Sequence, residues 1–185
     1  MKIVLAIFIL FNASCKQPKT EEAYMEPAGD TTQRTAVKVA YAGERQEIVI
    51  QTGNTTPQEV LAFAKTLTGT PYKYGSIDPM QGFDCSGFIT YVFSHFNIAV
   101  PRSSIGFTNV EKEIYLEDAR PGDIILFTGT DSTIRDVGHM GIITSTDNEN
   151  YQFIHSTSGK ANGVTITPLN AYYMKRFVKV IRVFK

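Results

Sequence analysis

Two helical stripes, followed by a series of short apolar segments, give this chain its outline. Val60, Phe63, Ala64 and Leu67 recur at helical spacing behind Thr56-Pro57-Gln58-Glu59. That tetrad is a capping box with proline at the first helical position, and Gly69 ends the stretch. A second stripe, Phe88, Ile89, Val92, Phe93 and Phe96, starts behind Asp84, a natural N-cap. It predicts a helix that begins at Cys85 and stops near Asn97, before Pro101. Beyond residue 120 the period changes. Arg120-Pro121-Gly122-Asp123 reads as a turn into residues 124–127, a continuous apolar run of the kind that forms a buried strand. Segments 138–143 and 151–155 follow across the polar turn 146–150, then 164–166 and 178–183. Helices first and antiparallel strands afterwards predict an α+β fold, with N-terminal helices packed on an antiparallel sheet or partial barrel.

The N-terminal part reads differently. Lys2 precedes an apolar run over residues 3–11, which meets Asn12-Ala13-Ser14-Cys15. A charged start, a short apolar stretch and small residues predict a signal peptide over residues 1–15, too short to span a bilayer. A cysteine directly after small residues resembles a bacterial lipobox, in which Cys15 would become the lipidated first residue. Asn12 replaces the usual aliphatic residue there, and a plain cleaved signal is the alternative. Residues 16–35 are polar, with Pro18, Pro27 and Gly29, and predict a flexible tether. Its fully stretched reach is about 65 Å. Val37, Val39 and Tyr41, then Ile48 and Ile50, alternate with polar residues and fit a β-hairpin in an extension over 36–54. Residues 55–185 remain as the main domain.

Composition narrows the partners. The 185-residue chain is 43% hydrophobic with a formal net charge of zero, enough for one core and without a field that would draw nucleic acid. A monomer is expected. There are two cysteines. Lipid on Cys15 would leave Cys85 as the one free thiol, with no intramolecular disulfide.

That thiol is the centre of the candidate chemistry. Cys85 stands at a predicted helix start, where the dipole favours thiolate, and its place on the apolar stripe aims the sulfur inward. His139 and His155 lie in the two hairpin strands downstream. Direct pairing of these histidines would also pair Gly141 with Phe153 and Ile143 with Tyr151, and requires an odd number of turn residues. A slip of one residue would put them on opposite faces. In this arrangement Cys85 is the nucleophile and His139 the general base. His155 orients His139, the Cys85 N–H faces an oxyanion, and Tyr74 adds a hydroxyl. Asp84 serves equally as helix cap or as substrate contact, and its charge opposes thiolate formation. His95, ten residues along the helix and about 15 Å from Cys85, reads as having no part in the chemistry, and Arg102 reads as a loop cation. Neither C-x-x-C nor H-E-x-x-H occurs, so no metal or cofactor is expected.

Six segments occur in order: Pro71-Tyr72-Lys73-Tyr74-Gly75, Gly82-Phe83-Asp84-Cys85-Ser86-Gly87-Phe88, Val100-Pro101-Arg102-Ser103-Ser104, Arg120-Pro121-Gly122-Asp123, Gly138-His139-Met140-Gly141-Ile142 and Phe153-Ile154-His155. Together they closely resemble the NlpC-type cell-wall cysteine peptidases, over about residues 55–185. The resemblance implies a papain-like fold and a Cys85–His139–His155 triad. It implies hydrolysis of peptidoglycan stem peptides or muropeptides, commonly at the bond from γ-D-glutamate to a diamino acid. It also implies that Tyr74, Asp84 and Ser86 shape the substrate pocket, which in some relatives binds a free L-alanine amine. Phe107 and Ser76 stand where the family often has glutamine and a second glycine. The expected protein is a membrane-anchored lipoprotein of the bacterial envelope, or a secreted or periplasmic form. A catalytically silent wall-peptide-binding lipoprotein and another papain-like amidase or acyltransferase are the alternatives.

Overall fold

In the computed structural model, which describes residues 48–110, 112–147 and 150–185, both helices start at their expected caps. Helix α1 (Pro57–Thr66) carries the Thr56–Glu59 capping box. A two-residue pair, β1 (Ile77–Asp78) and β2 (Gly82–Phe83), leads into helix α2 (Cys85–Ser94), capped by Asp84. Strands β3 (Lys112–Ile114), β4 (Ile124–Thr128), β5 (Val137–Asp147), β6 (Asn150–Thr157) and β7 (Gly163–Pro168) follow, then helix α3 (Ala171–Arg176) and strand β8 (Phe177–Arg182). The fold is α+β. Strands β3-β8-β4-β5-β6-β7 form one antiparallel sheet with β3 and β7 as free edges, so it is open and not a closed barrel.

The continuous apolar run of β4 follows from burial on both faces. Ile124 and Leu126 enter the main core with Val60, Phe88, Ile89 and Val92 from the two helices. Ile125 and Phe127 enter a second cluster with Phe153, Val180 and Tyr173 on the other face. Each such side chain contributes about 1.5–3 kcal/mol by leaving water. Asp123, 3% exposed, ends the preceding turn. Its carboxylate accepts from the Arg120 N–H at 2.7 Å and from Arg182 Nη2 at 2.9 Å, tying the start of β4 to β8. The Arg-Pro-Gly-Asp motif therefore has a structural role.

The β5–β6 hairpin departs from the expected pairing. Ile143 pairs with Phe153 and Ile142 with Ile154, a register that sets Gly141 opposite His155. The histidines are thus diagonal, not directly opposed. Towards the turn, Asp147 pairs with Asn150 and Ser145 with Gln152, one residue out of step with the rest. A two-residue turn alone would place His139 and His155 on opposite faces. The β-bulge between Ile143 and Ser145 supplies the missing residue and returns them to the same face.

The signal, Cys15, the tether and Val37, Val39 and Tyr41 lie outside the described residues. From the second half of the expected hairpin, Ile48 forms a parallel bridge with Val110, and Ile50 is buried in the main core. No helix among the described residues is long and apolar enough to cross a membrane.

Candidate active site

The Cys85 sulfur is delivered to the sheet by the start of α2. It lies 3.9 Å from the carbonyl oxygen of Gly138, the residue before His139. Ser156 Oγ donates to the Phe83 carbonyl at 2.7 Å, which fixes the approach to the helix against β6. His139 Nε2 and His155 Nδ1 are 2.8 Å apart, and His155 Nε2 is 2.9 Å from Thr167 Oγ1 on β7. Cys85 and His139 line one cleft of about 960 Å³. So the two histidines are hydrogen-bonded, and the thiol shares a cleft with the first of them, His139.

Space for that histidine pair comes from Gly141. A β-carbon there would sit 2.7 Å from the Phe153 ring and 3.2 Å from the His155 β-carbon. The rings are then held by aromatic packing. Tyr173 stacks on His139 with centroids 6.2 Å apart and meets His155 edge-on at 5.5 Å. Phe153 packs against His155 at 4.6 Å.

The network selects tautomers. With His139 Nδ1 kept free as an acceptor, its Nε2–H donates to His155 Nδ1, and His155 must carry its own proton on Nε2, where it donates to Thr167. Both rings need to be neutral for this. Burial first, then His155 and the Arg176 guanidinium, push His139 well below the usual histidine range. Burial, followed by Arg176, holds His155 at about 3.

Electrostatics at the sulfur oppose the helix dipole. Burial foremost, then the Asp84 carboxylate, push the Cys85 thiol up to about 11. Backbone N–H groups of Ser86, Cys85 and Met140 point at the sulfur and favour its charge, but they do not outweigh those two effects. The resting pair is thiol and neutral imidazole, and thiolate forms as the proton leaves.

Asp84, Ser86 and Arg102 form a separate cluster. Asp84 Oδ1 accepts from the Gly87 N–H, as a cap. Arg102 holds the same carboxylate with both terminal nitrogens, at 3.3 and 3.1 Å, and donates to Ser86 Oγ at 3.1 Å. Arg102 is therefore a clamp on the residue before the thiol, not a free loop cation. None of the three lines the cleft. Tyr74 is 87% exposed and does not line it either. Instead Tyr72 lines it, because the backbone of 71–73 is hydrogen-bonded to Phe83, after which a turn closed by Ser76 N–H to Lys73 O throws Tyr74 outward. His95 does not line the cleft and stacks on Phe63 at 3.7 Å.

Sequence reasoning missed Thr167, Gly141, and the α3 residues Tyr172, Tyr173 and Arg176. Only Gly141 carried a signal, since a glycine two residues from one histidine on a strand keeps that face clear. Helix α3 has six residues, too few for its period to be visible.

Comparison with known proteins agrees with this fold. Residues 69–183 match the model of the NlpC/P60 family. The chain is 31% identical over 134 residues to the gamma-DL-glutamyl hydrolase of Bacillus subtilis, covering 72% of this chain and 32% of that protein. A probable endopeptidase of Haemophilus influenzae is 35% identical over 118 residues, covering 62% of this chain and 67% of the relative. The probable peptidoglycan endopeptidase LytE of Bacillus subtilis is 38% identical, covering 63% of this chain and 31% of LytE. The chain thus spans about a third of the two Bacillus relatives. Among solved structures, an NlpC/P60 family protein from Bacillus cereus superposes with a TM-score of 0.62 at 25% identity, covering 72% of this chain and 42% of that one. On its family match, its relatives and its fold, this chain belongs to the NlpC/P60 family.

Proposed function

We propose that the protein is a cysteine endopeptidase that hydrolyses peptidoglycan stem peptides, at the bond from γ-D-glutamate to the diamino acid. The observation that carries this reading is the hydrogen bond between His155 and His139, which lines one cleft with Cys85. The names of the relatives, a gamma-DL-glutamyl hydrolase and peptidoglycan endopeptidases, support the substrate class.

In the proposed reaction His139 Nδ1 takes the thiol proton as Sγ attacks the amide carbon. The Nε2–H bond to neutral His155 steadies the imidazolium that forms. The Cys85 N–H, which at the start of α2 has no helical carbonyl to bond, donates to the developing oxyanion. The intermediate collapses as His139 returns its proton to the leaving amine, which leaves a thioester on Cys85. Water, deprotonated by His139, then hydrolyses the thioester and restores the thiol. Tyr72 borders the reacting centre, while Asp84 and Ser86 act through the Arg102 clamp beside it.

The same reading places the protein in the bacterial envelope, held by lipid on Cys15 and working at the end of the 16–35 tether. Two experiments test it. Purified cell-wall sacculi should lose turbidity with the wild-type protein, and Cys85→Ala or His139→Ala should slow this by at least about 10²-fold without loss of the folded circular-dichroism signature. Undiminished lysis by Cys85→Ala would refute the mechanism. For the anchor, Cys15→Ser should move the protein from the membrane fraction to the soluble fraction, and an unchanged distribution would refute lipidation.

A further inference from the structure

We propose that Arg176 and Lys160 make one wall of the cleft a carboxylate-binding subsite for the substrate. The inference rests on the peptidase reading and adds to it the charged group that the enzyme recognises.

The cleft is cationic although the chain is neutral. Its lining includes Lys160 and Arg176, and among the described residues that line it there is no aspartate or glutamate. The formal net charge of the whole chain is zero, so this imbalance is local. Both histidines are held neutral, so the positive charge comes from Lys160 and Arg176. Eight lining side chains carry hydroxyls, which can donate to an anionic peptide without repelling it.

Arg176 is the stronger part of the case. It is only 7% exposed. Nη2 donates to the Thr128 carbonyl at 2.9 Å and Nη1 to the Tyr172 hydroxyl at 2.8 Å, and the group lies 5.1 Å from the Tyr172 ring centroid. Its Nε is buried without a hydrogen-bond partner, and no carboxylate pairs with the guanidinium among the described residues. A buried cation held only by neutral groups is costly to keep. A seated carboxylate would supply the missing countercharge, and the planar guanidinium suits that group. Lys160, exposed on the β6–β7 turn, provides the second and more mobile cation.

Apart from its C-terminus, a stem peptide can offer this chemistry from two places: the α-carboxylate of the γ-linked D-glutamate, or the side-chain carboxylate of a diaminopimelate. The test separates them. Cys85→Ala in the full chain is titrated calorimetrically with L-Ala-γ-D-Glu-meso-diaminopimelate, with its D-isoglutamine analogue, and with its L-lysine analogue. Replacing the recognised carboxylate should weaken binding about tenfold, which identifies its source. Lys160→Gln on the same background should cut that discrimination to about threefold, and Arg176→Lys should do likewise if it folds. Equal binding of all three peptides, or full discrimination retained in Lys160→Gln, would overturn the subsite. Wild-type hydrolysis is scored separately. Discrimination without cleavage would sink the peptidase reading alone, and cleavage without discrimination would sink the subsite alone.

Discussion

Asp84 shows how one residue can serve the fold and restrain the chemistry. Its carboxylate caps α2 and takes the Arg102 clamp, yet its charge is the second cause of the high thiol pKa. Asparagine can still cap the helix. Asp84→Asn should therefore shift the pH profile of Cys85 alkylation by iodoacetamide to lower pH. A shift upward, or none, would remove Asp84 from the electrostatics of the site. His155 is the second residue whose role is sharply testable. It has to accept from His139 Nε2–H, and the side-chain oxygen of asparagine can do the same. His155→Asn should keep part of the activity, while His155→Ala should lose about 10–100-fold. Equal losses in the two variants would argue that His155 acts by packing and not by its hydrogen bond.

At the scale of elements, the β5–β6 hairpin does most to set the site. Its bulge restores the parity that its short turn would break, and Gly141 leaves room for the histidine rings. Gly141→Ala should displace His155 and lower kcat by at least about tenfold, with the overall fold retained. Wild-type kcat in that variant would show the space to be incidental. This hairpin also marks the limit of what the chain discloses as sequence. Alternation over 138–143 and 151–155 reveals two strands and two histidines capable of sharing a face. It does not reveal a bulge, because an extra residue at 144 leaves no compositional mark. The two main helices were legible because caps and apolar stripes agree with burial: Val60, Phe88, Ile89 and Val92 are all fully buried. Helix α3 was not, and with it went Tyr173 and Arg176. The sequence points to Tyr74 and not to Tyr72, because a turn that depends on tertiary hydrogen bonds to Phe83 decides which tyrosine faces the cleft.

For the whole molecule, two buried neutral histidines tie stability to pH. In the unfolded chain they titrate near 6.5, whereas His155 falls to about 3 and His139 shifts in the same direction. Below about pH 6.5 the unfolded state binds more protons than the native state. Stability should therefore be full above that pH and decline as pH falls towards 3, by up to about 1.4 kcal/mol per pH unit for each histidine. Urea midpoints measured from pH 7 to pH 4 should fall accordingly, and less steeply in His155→Asn. A flat profile would mean that the histidines are not buried neutral.

All of these features converge on one bond. Peptidoglycan digested to completion with the wild-type protein, and analysed by product mass, locates the cut directly. Fragments ending in γ-D-glutamate, paired with fragments beginning at the diamino acid, and absent after treatment with Cys85→Ala, are the predicted result. Cleavage at another bond, or the same fragments from Cys85→Ala, would contradict the account.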